Sequence, residues 1–567
     1  MGIKYFFSWL KSEFPQHMRQ FRKIAPPADI AIDTFMVDLN GLFHNSAAKI
    51  YRYGNYERKS LLVRQQQQRN DSLQLQIQCF EDICKTIDEL VTVVRPRQSL
   101  VLCIDGVAPL SKQNQQRQRR YRGIVEDDKG KTVPFSTFDS RCITPGTKWM
   151  DFLSKYIDWH IQKKITEDAY WQSLKIYFSN EKVPGEGEHK LVNWIRKYGR
   201  HDETFCINAL DADLVMLSLG TGKTNFYLLR EELYDKSFDY TYVDIGKGLR
   251  NDIVHSLLFW DSNASEDQTI NDFILIVFLC GNDFLPNIPS ISLIDKGLST
   301  IIDIYKRCCT EKGHLVDEKG KINLKSFSYF FHLLGQSEKS LLIDKWTKRA
   351  NYIPEPLLES KIQMSEAIPN LDFEKYREEF YINKGIDNLE TACHAYIDGC
   401  AWVLEYYLFG VKDWAYMYPY NYAPFAIDLA TFSATYEPKS ERHISPPISP
   451  FLQLLCVIPP KSSGLLPTPL NQILLSKGEL SQYFPTDFKI NYEGKKNKWE
   501  GIVELPPVKV DVLKKEMDKL VPLITPADLK RNFPGKCFLY RKSDFATEFK
   551  SFYGNFRSFA VTEVVDF

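Results

Sequence analysis

The sequence lacks an excess of either charge, paired cysteines and long apolar runs. Its 72 basic and 72 acidic side chains cancel over 567 residues, which gives no sign of the basic surplus typical of nucleic-acid-binding domains. None of its 12 cysteines forms a C-x-x-C pair, so we expect reduced thiols and no structural zinc site. The longest apolar run, Phe273 to Cys280, is far shorter than the roughly 20 residues of a membrane-spanning helix and is typical of a buried core segment.

Glycine and proline, with 28 and 29 residues, are too few for a collagen-like or disordered chain. Hydrophobic residues make up 44% and charged residues 25% of the sequence, which is the composition of an ordinary globular protein. The length corresponds to about three to four domain-sized units.

Short strand-like runs alternate with longer helical patterns in the first half of the chain. Helical patterns at 80–94 and 149–162 separate runs such as Leu100–Ile104 and Phe205–Ile207. This alternation predicts an α/β fold with a mostly parallel central sheet flanked by helices. Such sheets bind their ligands at the carboxyl ends of the strands, and acidic residues follow several of these runs.

We divide the chain into three parts. Residues 1–311 form a first block that carries the candidate site, and residues 312–386, where the alternation fades, form a connector. Residues 387–567 are rich in aromatic residues and prolines and form a second α+β block. We expect this second block to pack on the first and to complete the site.

Acidic residues lie at or just after apolar runs in five separate segments. We predict that they form one catalytic, metal-binding site: Asp38, Asp105, Glu186, Glu188, Asp211, Asp213 and Asp283. Carboxylates that meet repel one another unless they take up protons or bind cations. Their hard oxygen atoms favour Mg²⁺, or Mn²⁺ in its place, over zinc, and two such ions can activate a water against a phosphodiester. The alternative is that each acid is only a turn former or a helix N-cap.

A basic segment, KQNQQRQRRYR at 112–122, begins seven residues after Asp105. On a helix, its spacing places four side chains on one face: Lys112, Gln116, Arg119 and Arg120. Such a face is suited to a phosphate monoester, because arginine can bind two of its oxygens at once. The alternative is a solvated basic helix, but the proximity to Asp105 favours a 5′-phosphate pocket.

Aromatic residues make up 14% of the chain, and most of them belong to the core. Single-stranded nucleic acid is held without sequence preference when its bases stack on aromatic rings. His44, six residues after Asp38, and Trp402 are the candidates for base stacking. The alternative for both is ordinary packing.

Taken together, the motifs resemble those of the XRN family of 5′→3′ exoribonucleases, the Pacman-like enzymes. The matches occur in family order from residue 1 to about residue 510. They are DLNGLFHN (38–45), IDGVAPLSKQNQQRQRRYR (104–122), FDSRCITPGT (138–147), VPGEGEHK (183–190), LDADLVMLSL (210–219), GNDFLPNIPS (281–290), AWVLEYYLFGV (401–411), YMYPYNYAPF (416–425), PPKSSGLLP (459–467) and YFPTDF (483–488).

The resemblance implies a nuclease core related to flap-type nucleases and a processive 5′→3′ exoribonuclease. Such an enzyme hydrolyses single-stranded RNA with a 5′-monophosphate to nucleoside 5′-monophosphates by two-metal-ion catalysis, in RNA turnover. The seven acids align with the family's metal ligands, and the four residues of the basic face align with its 5′-phosphate pocket. His44 and Trp402 fall where the family stacks the first bases.

The resemblance also leaves questions open. We expect a compact, monomeric form without the additional C-terminal domains of the long family members, and the decapping machinery as a partner. We expect a cytoplasmic location, because no convincing basic nuclear-import run is present, although a nuclear one stays open. Two alternatives remain: a flap-type structure-specific DNA nuclease, and a catalytically silent RNA-binding scaffold.

Overall fold

The computed structural model of the chain describes residues 3, 5–54, 72–128, 138–208, 211–232, 236–257, 264–293, 297–366, 368–438 and 443–567. Its strands are β1 (Met18–Phe21), β2 (Thr34–Asp38), β3 (Ser99–Cys103), β4 (Lys175–Ser179), β5 (Phe205–Asn208), β6 (Phe226–Glu231), β7 (Tyr240–Asp244), β8 (Ile362–Ser365), β9 (Ile368–Leu371), β10 (Lys489–Asn491), β11 (Ile502–Glu504), β12 (Cys537–Phe549) and β13 (Phe556–Val565).

The α-helices of the first part of the chain are α1 (Phe6–Glu13), α2 (Leu39–Tyr51), α3 (Ser72–Val94), α4 (Leu110–Asp128), α5 (Lys148–Glu167), α6 (Ala169–Gln172), α7 (Gly187–Tyr198), α8 (Asp213–Leu219), α9 (Arg250–Leu257), α10 (Glu266–Phe278) and α11 (Gly297–Lys312). Those of the remainder are α12 (Leu324–Thr347), α13 (Pro356–Ser360), α14 (Phe373–Asn383), α15 (Leu389–Phe409), α16 (Ala426–Ser433), α17 (Pro450–Val457), α18 (Asn471–Leu474), α19 (Val510–Leu520) and α20 (Pro526–Leu529).

One large sheet organises the molecule, and its centre is parallel. Within the described residues its strand order is β1-β7-β6-β5-β2-β3-β4-β12-β13. The five strands from β6 to β4 run parallel, whereas β7 and β1 at one edge and β12 and β13 at the other are antiparallel to their neighbours. The predicted α/β fold is therefore confirmed, with antiparallel edges around a parallel centre.

The central strands are apolar on both faces because helices cover both. Along β2, Met36 packs into the hydrophobic cluster on one side, while Phe35 and Val37 pack into the cluster on the other. All three side chains are buried. Continuous apolar runs of this kind are typical of parallel strands with both faces covered. Polar and acidic side chains therefore lie at the strand ends.

The second half of the chain joins the same structure at several places. Phe327, Phe330 and Phe331 of α12 belong to the core that also contains Met36. The hairpin of β12 and β13 continues the large sheet at the β4 edge, with Phe538 opposite Phe178. The division at 311 and 386 stays a prediction. In the described part of the chain, no helix is long and apolar enough to cross a membrane.

Candidate active site

The parallel register brings the first two predicted acids together. Asp38 is the last residue of β2 and lies opposite Cys103, the last residue of β3, so Asp105 follows at the same edge of the sheet. Asn40 connects them: its side-chain amide donates to Asp105 Oδ2 at 2.9 Å, and its Oδ1 accepts the Asp105 N–H at 3.0 Å. Its own N–H donates to Asp38 Oδ1 at 3.2 Å, which fixes both carboxylates.

The glycine at 187 allows the next acidic loop to approach these two carboxylates. A Cβ atom at this position would lie 2.5 Å from Asp38 Oδ1, so a larger residue does not fit without displacing the aspartate. The Gly187 N–H donates to Asp105 Oδ1 at 2.6 Å. Gly187 also begins α7, which places Glu186 and Glu188 on either side of this contact.

Lys112 of the basic helix lies among the acids. Its Nζ is 2.5 Å from Glu186 Oε2 and 2.8 Å from Asp283 Oδ2. These carboxylates come from the loop before α7 and the loop after α10, so the ammonium group draws two distant segments together. The structure thus directs Lys112 into the acid cluster, whereas the sequence pattern grouped it with the phosphate face.

Asp213 and Asp211 complete the set at the start of α8. Asp213 is buried and accepts the backbone N–H of Ile3 at 2.9 Å. Asp211 is exposed at the same end of the helix, and its charge acts on Asp38, Glu188 and Asp213. All seven predicted acids are therefore in one electrostatically connected region.

Burial and mutual repulsion raise the pKa of several of these carboxyl groups. Burial, followed by the charge of Asp105, holds the pKa of Asp38 well above its usual range, and burial and neighbouring carboxylates do the same for Glu188. Burial and the charge of Asp283 raise the pKa of Asp213 to about 7. For Asp283, burial is outweighed by the Lys112 ammonium, which lowers its pKa. Without a further cation the cluster binds protons instead.

The donor set fits hard divalent cations. Carboxylate oxygens that converge from several loops are typical ligands of Mg²⁺ and Mn²⁺. Among the residues that the structure describes, however, no three acidic, histidine or cysteine side chains are arranged so that they could hold one metal ion as they stand. The Lys112 ammonium instead supplies positive charge between Glu186 and Asp283.

The rest of the basic face lies on α4, beside the acids. Arg120 donates to Thr144 Oγ1 at 2.8 Å, and burial with the charges of Arg119 and Arg141 lowers its pKa to about 9. The buried Gln116 Oε1 has no hydrogen-bond partner among the described residues, and Arg119 is exposed. A cavity of about 190 Å³ is lined by Arg119 of this face and by Asp283 of the acid cluster, among others.

The other arginines of the segment have a different role. Arg117 donates to the carbonyl oxygens of Tyr483 and Pro506, each at 2.7 Å. Arg122 donates to the carbonyl oxygen of Trp499 at 2.5 Å. Because these carbonyl groups lie within residues 483–506, the two guanidinium groups attach that segment to α4.

The two stacking candidates are in contrasting places. The His44 side chain is exposed, and partial desolvation together with the charges of Arg119 and Arg120 lowers its pKa to about 3. Its ring is therefore neutral and accessible beside the basic face. Trp402 is 2% exposed, donates from Nε1 to the Asp413 carbonyl oxygen at 3.0 Å, and stacks on Tyr416. In this arrangement Trp402 packs in the core and offers no face to a base.

The sequence matches two models of one known protein family. The profile described as "XRN 5'-3' exonuclease N-terminus" matches residues 1–232. The profile described as "Xrn1 helical domain" matches residues 263–370 and 373–558, which is more than half of the chain. The chain belongs to the XRN family.

Curated XRN relatives extend over nearly the whole chain. It is 28% identical to 5′-3′ exoribonuclease 1 of Homo sapiens over 95% of this chain and 35% of that protein. The identity to the Saccharomyces cerevisiae 5′-3′ exoribonuclease 1 is 25%, over 95% of this chain and 44% of that protein. A Drosophila melanogaster 5′-3′ exoribonuclease 2 homolog is 26% identical over 95% of this chain and 73% of its own length. The chain thus spans less than half the length of the first two relatives.

One solved structure gives a weaker match to this XRN chain. The catalytic core of Rad2 in complex with a DNA substrate matches with a TM-score of 0.32 and 13% identity, over 76% of this chain and 94% of that chain. A score this low does not support a comparison of the two sites.

Two further residues of this XRN chain, Asn40 and Lys190, contribute to the site although the sequence pattern did not predict them. Lys190, buried in α7, donates to the carbonyl oxygens of Ile104 at 2.7 Å and Asn180 at 3.0 Å, and so joins the ends of β3 and β4. Asn40 lies inside the motif DLNGLFHN, and Lys190 lies inside VPGEGEHK. Both could have been predicted, because a buried polar side chain beside clustered acids needs a hydrogen-bond partner.

Proposed function

We propose that this chain is a processive 5′→3′ exoribonuclease that hydrolyses single-stranded RNA with a 5′-monophosphate to nucleoside 5′-monophosphates. The observation that carries the proposal is the meeting of seven carboxylates at one sheet edge with a basic helix face directly beside them. Family membership supports the same activity, since the curated relatives are named 5′-3′ exoribonucleases.

The acids would hold two Mg²⁺ ions, for which Mn²⁺ substitutes. When bound, such ions supply a water activated for attack and stabilise charge on the leaving oxygen. The Lys112 ammonium would then no longer be the main counter-charge of Glu186 and Asp283, and it would be available to an RNA phosphate.

The chain's own residues would position the RNA end. Arg120, oriented by Thr144, and Arg119 would bind the oxygens of a 5′-phosphate, and the unpaired Gln116 Oε1 would accept from a ribose hydroxyl or an ordered water. The neutral His44 ring beside them would stack on a base. After each cleavage the new 5′-phosphate occupies the same place, which makes degradation processive.

The test compares end-labelled RNAs with 5′-monophosphate, 5′-hydroxyl and 5′-triphosphate ends in Mg²⁺. We expect rapid release of mononucleotides from the monophosphate RNA alone. Equal decay of all three RNAs would contradict the phosphate pocket. Asp211→Ala/Asp213→Ala should abolish activity, whereas Asp511→Ala/Asp518→Ala, which changes two exposed aspartates of α19, should retain it.

A branched DNA substrate and an RNA-binding measurement, added to this experiment, distinguish the alternatives. Preferential cleavage of a branched DNA would favour a flap-type nuclease, and tight RNA binding without mononucleotide release in Mg²⁺ or Mn²⁺ would favour a silent scaffold. We extend the proposal to a monomeric, cytoplasmic enzyme that receives its 5′-monophosphate ends from the decapping machinery. Light scattering of the purified chain tests the monomer, and imaging of the tagged chain tests the location.

A further inference from the structure

Two adjacent tyrosines of α15 reach from the second half of the chain into the acid cluster. The Tyr406 hydroxyl donates to Glu186 Oε1 at 2.9 Å, and the Tyr407 hydroxyl makes a longer contact of 3.4 Å with Asp213 Oδ2. Both tyrosines are buried. Burial holds the pKa of both hydroxyls well above its usual range, so both remain donors at neutral pH.

His189 fixes the two rings in place. It lies between Glu188 and Lys190 on α7, and its ring stacks on Tyr406 with centroids 3.7 Å apart and planes at 3°. Its edge contact with Tyr407 has a centroid distance of 5.3 Å and an angle of 89°. Neither ring nitrogen of His189 has a hydrogen-bond partner among the described residues. The imidazole therefore acts here as a flat spacer that sets where the two hydroxyls lie.

We infer that Tyr406 and Tyr407 are positioning residues that hold the Glu186 and Asp213 carboxylates in the orientation needed to bind a divalent cation. The inference rests on the proposed function in one respect, namely that the acid cluster is a metal site. Neighbouring carboxylates repel one another, so a hydrogen-bond donor is needed to keep one of them oriented toward the others. A neutral hydroxyl does this without competing with the cation as a positive charge would.

The contacts predict unequal effects for the two tyrosines. Tyr406 makes the shorter hydrogen bond, and Glu186 also pairs with Lys112, a charge that a metal ion would displace. Asp213 has a second neutral donor, the Ile3 N–H at 2.9 Å. Loss of the Tyr406 hydroxyl should therefore weaken metal binding more than loss of the Tyr407 hydroxyl.

The experiment measures Mn²⁺ binding directly, by titration followed with electron paramagnetic resonance, for the full chain and three variants. Tyr406→Phe and Tyr407→Phe remove only the hydroxyls and keep the rings on His189. The matched control is Tyr305→Phe, because Tyr305 also donates at 2.9 Å to a buried carboxylate, that of Asp272, outside the acid cluster. All three variants remove one buried hydroxyl, so a general loss of stability appears in all three.

We expect the Mn²⁺ dissociation constant to rise about 10- to 100-fold in Tyr406→Phe, as for other residues that orient metal ligands. The rise should be smaller in Tyr407→Phe and absent in Tyr305→Phe, and excess Mn²⁺ should restore RNA decay by Tyr406→Phe. Wild-type affinity in Tyr406→Phe, an equal loss in Tyr305→Phe, or a wild-type chain that binds no Mn²⁺ would each overturn the inference. If the graded loss of Mn²⁺ binding is observed but the wild-type chain degrades no RNA, the proposed function fails and the inference stands.

Discussion

Replacing Lys112 by methionine should destabilise the metal-free protein and make its stability depend more strongly on Mg²⁺. The ammonium group lies 2.5 Å from Glu186 and 2.8 Å from Asp283, and all three side chains are largely buried. Methionine has a similar length and helix propensity, so the substitution removes the charge and little else. Two buried carboxylates are then left without their nearest counter-charge.

The size of the effect follows from these distances. At an effective dielectric constant of about 20, unit charges at the two separations attract by about 6 to 7 kcal/mol each. Desolvation of the three ions opposes most of this attraction. Breaking a buried pair by removing one partner costs about 3 to 5 kcal/mol, and we expect a loss of that order in the free energy of unfolding.

Thermal unfolding in EDTA and in Mg²⁺, at one scan rate, checks the prediction. In EDTA the Lys112→Met variant should unfold several degrees below the wild type. Mg²⁺ at about 100 times its dissociation constant contributes about 2.7 kcal/mol to any protein that binds it. In the wild type the ion competes with the Lys112 ammonium for Glu186 and Asp283, so the variant should bind Mg²⁺ more tightly and the gap should narrow.

The control for this experiment is Lys345→Met. Lys345 pairs with Glu355 at 2.7 Å and is buried to a similar extent, but the pair lies outside the acid cluster. Its loss of stability should be the same with and without Mg²⁺. The reasoning is refuted if Lys112→Met matches the wild type in EDTA, or if Mg²⁺ leaves the difference between them unchanged.

Four further predictions concern single residues. The pKa of Asp213 is raised to about 7. Its contribution to the stability of the metal-free protein is therefore full below about pH 4 and is lost as the pH rises through about 7. The apparent Tm in EDTA should fall between these two pH values, and it should fall less steeply in Asp213→Asn. Arg120→Gln should lower kcat/KM for 5′-monophosphate RNA by about 10- to 100-fold, the worth of a charged hydrogen bond, and leave 5′-hydroxyl RNA unaffected in decay assays. Trp402→Ala should lower the free energy of unfolding in denaturant by about 3 to 5 kcal/mol, because it leaves a cavity in the core. His44→Ala should weaken RNA binding, measured by fluorescence anisotropy, by about 1 to 3 kcal/mol, which is the contribution of one stacked base.

The parts of the site that follow strand ends could be predicted from the sequence. Asp38 and Asp105 stand after apolar runs, and the parallel register of β2 and β3 makes their meeting unavoidable. Local pattern and sheet geometry are sufficient in these cases, because the neighbours in space are set by neighbouring strands.

Other contacts depend on packing between segments far apart in the chain. Tyr406 lies 220 residues from Glu186, in a helix whose apolar composition resembles any core helix, so its hydroxyl gave no signal of its own. The orientation of the Lys112 side chain depends on where Glu186 and Asp283 lie relative to α4. Residue spacing within the helix does not predict that arrangement. The ring of Trp402 suits base stacking, but a tryptophan ring is equally typical of a core, and neighbours such as Phe284 pack against it.

The pairing of β12 with β4 has a consequence for how the chain is made. Ser179, at the end of β4, contacts Cys537, 358 residues later in the sequence. While a ribosome synthesises the intervening residues, β4 is an open edge of the nascent sheet, with unpaired backbone groups and apolar side chains such as Ile176 and Phe178. Edges of this kind invite pairing with other chains. A nascent chain must therefore be protected at β4 until its hairpin emerges, and release before residue 537 would yield a product prone to aggregation.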